Sequence, residues 1–509
     1  MREKRRVVAM TAVLSLAFFT PTAWSHIGSP NVLYQGTAGP YPVRVVIRPP
    51  GVIPGLAEIS VRVDDPDPVT VTVLPVHAAA GREGAPPPDT ATPVRGEKNL
   101  YSATLWLMTT GAYSVFVEVR GSSGSGTAIV PVNAVATRRL ELPFLLGALL
   151  VALAVLLFTG ALALVGAAVR ESTLPPGSAP DPRRARRARM AVVVATLLLA
   201  LALLGGKAWW DAVESDFRNN KLFRPLEVAA ESRVEGSQRI LRLDVASEEW
   251  RDWTPLTPDH GKLMHMFLLR EPELDAFAHI HPIGKNRNTF EVAVPPLPAG
   301  TYRVYADVTH ESGFAQTLTA LVEVPEPPAP GVAPPLYLAP DPDDSWTIHE
   351  PFRGADSAAL DESTACDLGG GHRMTWKKPD AIVAGREISL EFLVRRTDGE
   401  PSALEPYMGM LSHAAIRRDD GAVFAHLHPT GTISMASQQL FARREASRQR
   451  PGVTVGDAGA PPGHHAGHRV QPGRVTLPYE FPRSGRYRLW IQVKVQGQVL
   501  TGVFDTRVE

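Results

Sequence analysis

The sequence predicts a mainly β protein, with three β-sandwich domains outside a membrane and two transmembrane α-helices. The first sign is a series of short runs rich in Val, Ile, Tyr and Phe, separated by Gly, Pro and Asp turns, as in "AEISVRVDDPDPVTVTVLPV". The second is a recurrent ending: "GAYSVFVEV" at 111–119, "GTYRVYADV" at 300–308 and "GRYRLWIQV" at 485–493. Each copy starts at a turn glycine and then alternates apolar with polar residues, as a strand with one buried face must. The three copies therefore read as one duplicated and diverged domain. The third sign is a pair of apolar stretches, Leu142 to Val169 and Met190 to about Trp210. Each is long enough to cross a hydrocarbon core of about 30 Å as a helix.

Taken in order, residues 1–25 read as an export signal: basic "REKRR", apolar "VVAMTAVLSLAFF", then "TAWS" with small residues placed for cleavage. The mature chain would begin at His26, and an uncleaved anchor would leave the downstream topology the same. A first sandwich occupies 26–139 and a first membrane helix 140–169. A basic loop follows at 170–189, with a second membrane helix at 190–210. The loop contains "PRRARRAR", and each arginine at a helix centre costs about 2.5–3.5 kcal/mol, so the loop is expected in the cytoplasm. Arg138 and Arg139 pull the other way but carry less charge. Trp209 and Trp210 suit the outer interface, to which Lys207 can snorkel. Both large polar regions then face outward, away from the cytoplasm.

The second sandwich is expected at 226–325 and the third at 346–509, joined by a Pro-rich linker at 326–345 that is too stiff and donor-poor to enter a sheet. A mobile insertion is expected at 446–475, with His464, His465 and His468 solvated within it.

The totals exclude some classes. With 52 basic and 52 acidic residues, nothing in the overall charge favours nucleic acid. A single cysteine, Cys366, rules out an intrachain disulfide. No "HExxH" helix and no "GxxxxGK[ST]" loop occurs, and the spans carry almost no polar residues, which speaks against an enzyme and a pore.

The histidine pattern carries the chemistry. "FAHIHP" at 277–282 returns as "FAHLHP" at 424–429, each about fifteen residues after another histidine. In "SHAAIRRDDGAVFAHLHP" the Asp420-Gly421 turn predicts a hairpin that sets His413 opposite His428 and Ala415 opposite His426. Residues two apart on a strand share a face, so His413, His426 and His428 converge. In "MHMFLLREPELDAFAHIHP" an odd-numbered loop centred near Pro272 or Glu273 would do the same for His265, His279 and His281. Clustered imidazoles repel when protonated and bury little apolar surface, whereas copper or zinc accepts several neutral nitrogens at once. The structural alternative is a strand end whose rings cap backbone groups and pack on Phe277 or Phe424.

Further candidates are His260, just upstream, and His310, just past the repeated ending. Cys366, His372 and Met374 in "CDLGGGHRM" could offer soft donors to Cu(I), or form a glycine turn with a buried thiol. A free amine at His26 could join its own imidazole and His77 in a Cu(II) site. Strict alternation puts Met264 and Met266 on the face opposite His265, and Met408 and Met410 out of phase with His413. All four are expected in cores.

The stretch "HIGSPNVLYQGTAGPYPVRVVIRPPGVIPGLAEISVRV" with "GAYSVFVEV" resembles the outward domains of FixH/YtkA-like bacterial proteins. "PYMGMLSHAAIRRDDGAVFAHLHP" with "GTISMAS" resembles modules of uncharacterised bacterial membrane-anchored proteins, and a mature His26 resembles the start of CopC-type copper proteins. These resemblances imply immunoglobulin-like or cupredoxin-like sandwiches and a link to metal homeostasis or oxidase assembly. The expected function is copper buffering or delivery, with zinc as the alternative metal, to a metal donor or acceptor or a membrane oxidase complex. The alternative is a non-catalytic scaffold. Ligands on an open β surface would favour exchange.

Overall fold

A computed structural model describes residues 31–509 apart from 66, 68, 176, 246–254, 328–337, 353–363 and 450–470. The export signal, His26, the histidines 464, 465 and 468 and most of the Pro-rich linker lie outside the described residues.

The chain is mostly β, built as three two-sheet sandwiches with two long apolar helices between the first and the second. In the first sandwich a five-stranded sheet faces a four-stranded one. The Gly55–Val63 strand shows how the sequence does this: Ala57, Ile59, Val61 and Val63 turn inward and are buried, while the residues between them face outward. They meet Val115, Val117 and Val119 of the Gly111–Gly121 strand in one core. The recurrent endings have a common backbone cause. Gly111, Gly300 and Gly485 have φ of 133°, 139° and 140°, a region that only glycine enters without strain.

The helices span Phe144–Glu171 and Pro182–Asp216, and 28 residues at 1.5 Å each make the first about 42 Å long. Leu145 and Leu149 are 81% and 65% exposed, so nothing among the described residues covers this apolar surface. Both helices are long and apolar enough to cross a membrane. The second helix starts earlier than 190 and takes in the arginine run, because Asp181 caps it by accepting from Arg184 N at 2.7 Å and Pro182 fits its first turn.

In the second sandwich the sheet Ala315–Val324, Gly300–Thr309, His265–Arg270, Ala276–Ile280 has the same strand order as the third sandwich's Gln498–Val508, Gly485–Val495, His413–Arg418, Phe424–Leu427. The strand Ser345–Ile348 adds to the edge of the second sandwich by pairing with Ala276–Ile280, so part of the segment expected to open the third domain belongs to the second. The loop expected at 446–475 is shorter at both ends: the helix Met435–Gln449 runs into it and a strand begins at Arg474. That helix binds the first sandwich through Gln438 Nε2 to Ile129 O at 2.9 Å and an Arg82–Glu445 ion pair.

The two equivalent sheets pack face to face. Each buries its own core on one face, with Met266, Leu268, Val304 and Ala306 in one sandwich and Ala414, Ile416, Leu489 and Ile491 in the other. The opposite faces meet in a mixed apolar cluster containing Phe267, Phe277, Tyr305, Ala415, Phe424 and Trp490. Both faces of each sheet are therefore buried, and the histidines lie on the faces that meet.

Candidate metal centre

The two hairpins set the histidines. In the third sandwich Ala415 pairs with His426 and Ala414 with Leu427, a register that continues to place His413 across from His428. In the second, Met266 pairs with Ile280 and Phe267 with His279, which centres the five-residue loop on Glu273 and brings His265 opposite His281. Period-two alternation then gives each hairpin three imidazoles on its outer face.

Packing the sheets together merges these triplets. His265, His279, His281, His413 and His428 are between 0% and 5% exposed. Ring centroids lie 5.4 Å apart for His265–His279, 4.8 Å for His279–His281, 4.9 Å for His413–His428 and 4.4 Å for His426–His428. His260 enters from a turn closed by reciprocal hydrogen bonds between Asp259 and Lys262, and stands 5.3 Å from His413 and 5.1 Å from His428. Two three-imidazole groups result: His265, His279 and His281, and His260, His413 and His428. Within each, the candidate nitrogens are all within 4.8 Å of one another. The expected open β surface is thus corrected, because two sheets cover it.

Hydrogen bonds assign the tautomers. His265 Nε2 donates to Asp259 O at 3.1 Å, leaving a lone pair on Nδ1. His279 Nδ1 donates to Gln492 Oε1 at 2.9 Å, leaving a lone pair on Nε2; the Gln492 amide is oriented by donating to Ser345 Oγ. These two lone-pair nitrogens face each other at 3.1 Å. Without a proton between them that approach is repulsive, yet it is close to the ~3.3 Å separating two ligands on a tetrahedral ion with bonds of about 2.0–2.1 Å. His281 Nδ1 donates to Asp344 Oδ1 at 2.9 Å and His426 Nδ1 to Asp307 Oδ2 at 3.1 Å. Anchoring one ring nitrogen on a carboxylate while the other stays free is how metal-binding histidines are commonly held.

Seven further ring nitrogens are buried without a well-formed hydrogen bond among the described residues: Nε2 of His260, His281 and His426, and both nitrogens of His413 and His428, the last ring having only a weak approach to the Ile433 backbone. A buried polar atom left unsatisfied costs about 1–3 kcal/mol, so such a concentration needs a compensating partner. Burial, followed by the neighbouring imidazoles, holds His265, His279, His413 and His428 well below the ordinary imidazole pKa. His260 is lowered chiefly by burial. Neutral rings present lone pairs. An all-nitrogen donor set suits copper or zinc and does not suit calcium or magnesium, which take oxygen. A third group, His281 with Asp341 and Asp344, is acidic and different: Lys262 Nζ lies 2.5 Å from Asp341 and already neutralises it.

The remaining candidates are elsewhere. His77 lies in the first sandwich, with its ring against Tyr113 and Thr110 O. His310 is buried and bonded to Gln316 at 2.8 Å. Cys366 pairs across strands with Met374, whose side chain packs in the third core, and His372 Nδ1 is bound to Ser402 Oγ at 2.8 Å, so the trio is not gathered around one point. Met264 and Met266 lie in the second core, and Met410 packs into the first. Asp307, Gln492 and Asp344 escaped sequence reading. The signal for the first two was a polar residue at the same place in "GTYRVYADV" and "GRYRLWIQV", in phase with the face opposite Val304 and Leu489.

A family model described as a domain of unknown function (DUF8832) matches residues 226–326 and 366–509, the two domains that build the centre. No curated protein matches the chain. Among solved structures it is similar to a chimeric titin Z1Z2 tandem at 15% identity over 56% of this chain and 100% of that chain, with a TM-score of 0.13. It is similar to latent PorU from Porphyromonas gingivalis at 9% identity over 94% of this chain and 34% of that chain, with a TM-score of 0.15. An ICAM-5 ectodomain fragment gives 10% identity over 92% of this chain and 82% of that chain, with a TM-score of 0.14. None of these likenesses bears on function.

Proposed function

We propose that this chain is a membrane-anchored protein that holds copper, with zinc as the alternative, in a histidine centre between its second and third sandwiches on the periplasmic side. The observation that carries the reading is the convergence of seven imidazoles from two domains, with their free nitrogens buried and turned toward one another. A scaffold with structural histidines would leave those nitrogens uncompensated. The arginines at the start of the second helix support the orientation, since arginine-rich connections stay cytoplasmic. Burial between packed sheets favours retention, and delivery to a partner or an oxidase complex would require the interface to open.

The test is titration of the detergent-solubilised full chain with Cu(I), Cu(II) and Zn(II), followed by removal of free metal and elemental analysis. The expected result is retained copper that falls in the His426→Ala/His428→Ala variant. A folded protein that retains neither metal would defeat the proposal and leave the scaffold.

A further inference from the structure

We infer that the seven imidazoles form one dinuclear centre that takes two cuprous ions, one on His265, His279 and His281, the other on His260, His413 and His428, with His426 between them. The inference rests on the metal-binding reading above and adds the number of ions, their proximity and their oxidation state.

One ion cannot satisfy the site. Copper and zinc commonly take about four nitrogen ligands, so a single ion would leave about three of the seven rings with buried, uncompensated lone pairs. Two groups of three nitrogens, each within 4.8 Å, divide the rings into two ligand sets. The sets are adjacent: across them His260 and His265 stand 6.0 Å apart and His279 and His413 6.2 Å, little more than the spacing within a set.

His426 belongs to neither set and reaches both. Its centroid is 4.4 Å from His428 and 5.7 Å from His413 on one side, and 5.5 Å from His265 and 5.6 Å from His279 on the other. Asp307 fixes its Nδ1, and its buried Nε2 has no partner among the described residues. A seventh ring so placed can complete either coordination sphere.

The oxidation state follows from charge. Neither set contains a carboxylate ligand, and the nearest carboxylates, Asp344 behind His281 and Asp307 behind His426, stand one ring away, so the ions' repulsion is only partly offset. Two univalent ions at a given separation repel about a quarter as strongly as two dications. Imidazole suits copper in general, so charge rather than donor type selects Cu(I) here. The second set is assembled only when the domains meet, because His260 comes from the second sandwich while His413 and His428 come from the third. Occupancy there clamps the two domains together.

The experiment loads the detergent-solubilised full chain anaerobically with Cu(I), counts copper per chain, then oxidises with ferricyanide and counts spins by electron paramagnetic resonance. Two coppers are expected, with fewer spins than coppers because neighbouring Cu(II) ions couple. His281→Ala and His413→Ala should each reduce the count to one, while His77→Ala, in the first sandwich, should keep two. One copper in the unaltered chain would overturn the dinuclear inference and leave the metal-binding reading standing; zero copper would overturn the dinuclear inference, and zero copper with no zinc retained in a parallel loading would overturn both. Two coppers with two full spins would overturn the proximity.

Discussion

Asp307 and Gln492 occupy the same position in the two repeats, and each grips the central histidine of the other repeat. Asp307 Oδ2 accepts from His426 Nδ1 at 3.1 Å, and Gln492 Oε1 accepts from His279 Nδ1 at 2.9 Å. The aromatic residues two positions earlier repeat the exchange. Tyr305 stacks on Phe424 at 3.9 Å and Trp490 on Phe277 at 5.1 Å. The interface is therefore a pseudo-twofold contact made by duplication within one chain, with the self-complementary logic of a symmetric dimer.

Removing either grip should weaken the metal centre without dismantling it. Asp307→Ala and Gln492→Ala are each expected to lower copper affinity about 10–100-fold, as loss of an orienting partner does. Competition against a chromophoric chelator measures this. Unchanged affinity in both variants would show that the two contacts do not hold the rings for metal.

Phe424→Ala tests the aromatic half of the interface. Phenylalanine truncation in a packed site costs about 3–5 kcal/mol, and the stack with Tyr305 adds to the loss. The expected outcome is a lower melting temperature for the apo protein, partly restored by copper. A melting temperature equal to that of the unaltered chain would mean that the sheets are held together elsewhere.

Acid should destabilise the apo protein. His265, His279, His413 and His428 have folded pKa values below their ordinary 6.5, so the unfolded chain binds more protons as pH falls through that value. Stability is fully present above about pH 6.5 and is lost progressively below it, toward the lowered folded values. Thermal melts at pH 8 and pH 5.5 should show the lower midpoint at pH 5.5, and equal midpoints would contradict buried neutral rings.

Gly431→Ala should loosen the third sandwich from the first. Gly431 has φ of 115°, and a Cβ there would lie 2.0 Å from Leu33 O. The same segment bonds to the first sandwich's edge strand through Gln35 N to Thr430 O and Thr432 N to Leu33 O, and folds back on His428. Faster proteolytic separation of the domains is expected, together with weaker copper retention. An unchanged digestion pattern would show that this seam carries little.

Membrane orientation is open to labelling in a Cys366→Ser background. With an impermeant maleimide, Ser237→Cys is expected to react in intact spheroplasts and Ser178→Cys only after permeabilisation. The reverse pattern would invert the topology.

The sequence by itself determined the β class, the two apolar helices and the histidine triplet on the third sandwich's hairpin, while the second hairpin's triplet waited on its five-residue loop. Period-two alternation and a short turn fix which side chains share a face, and both are local properties. It also marked the turn glycines, because positive φ selects that residue at a single position. The docking of the two outer faces was decided by the tertiary structure alone. Those faces carry His, Arg, Asp and Gln among aromatics, and their sequence pattern resembles a solvated sheet surface. Only the fit between residues more than a hundred positions apart buries them. That same fit recruits His260 from a turn and sets Asp307 and Gln492 against rings of the opposite repeat. It turns two modest clusters into one, because the energy that gathers them lies in contacts between domains rather than in any single strand.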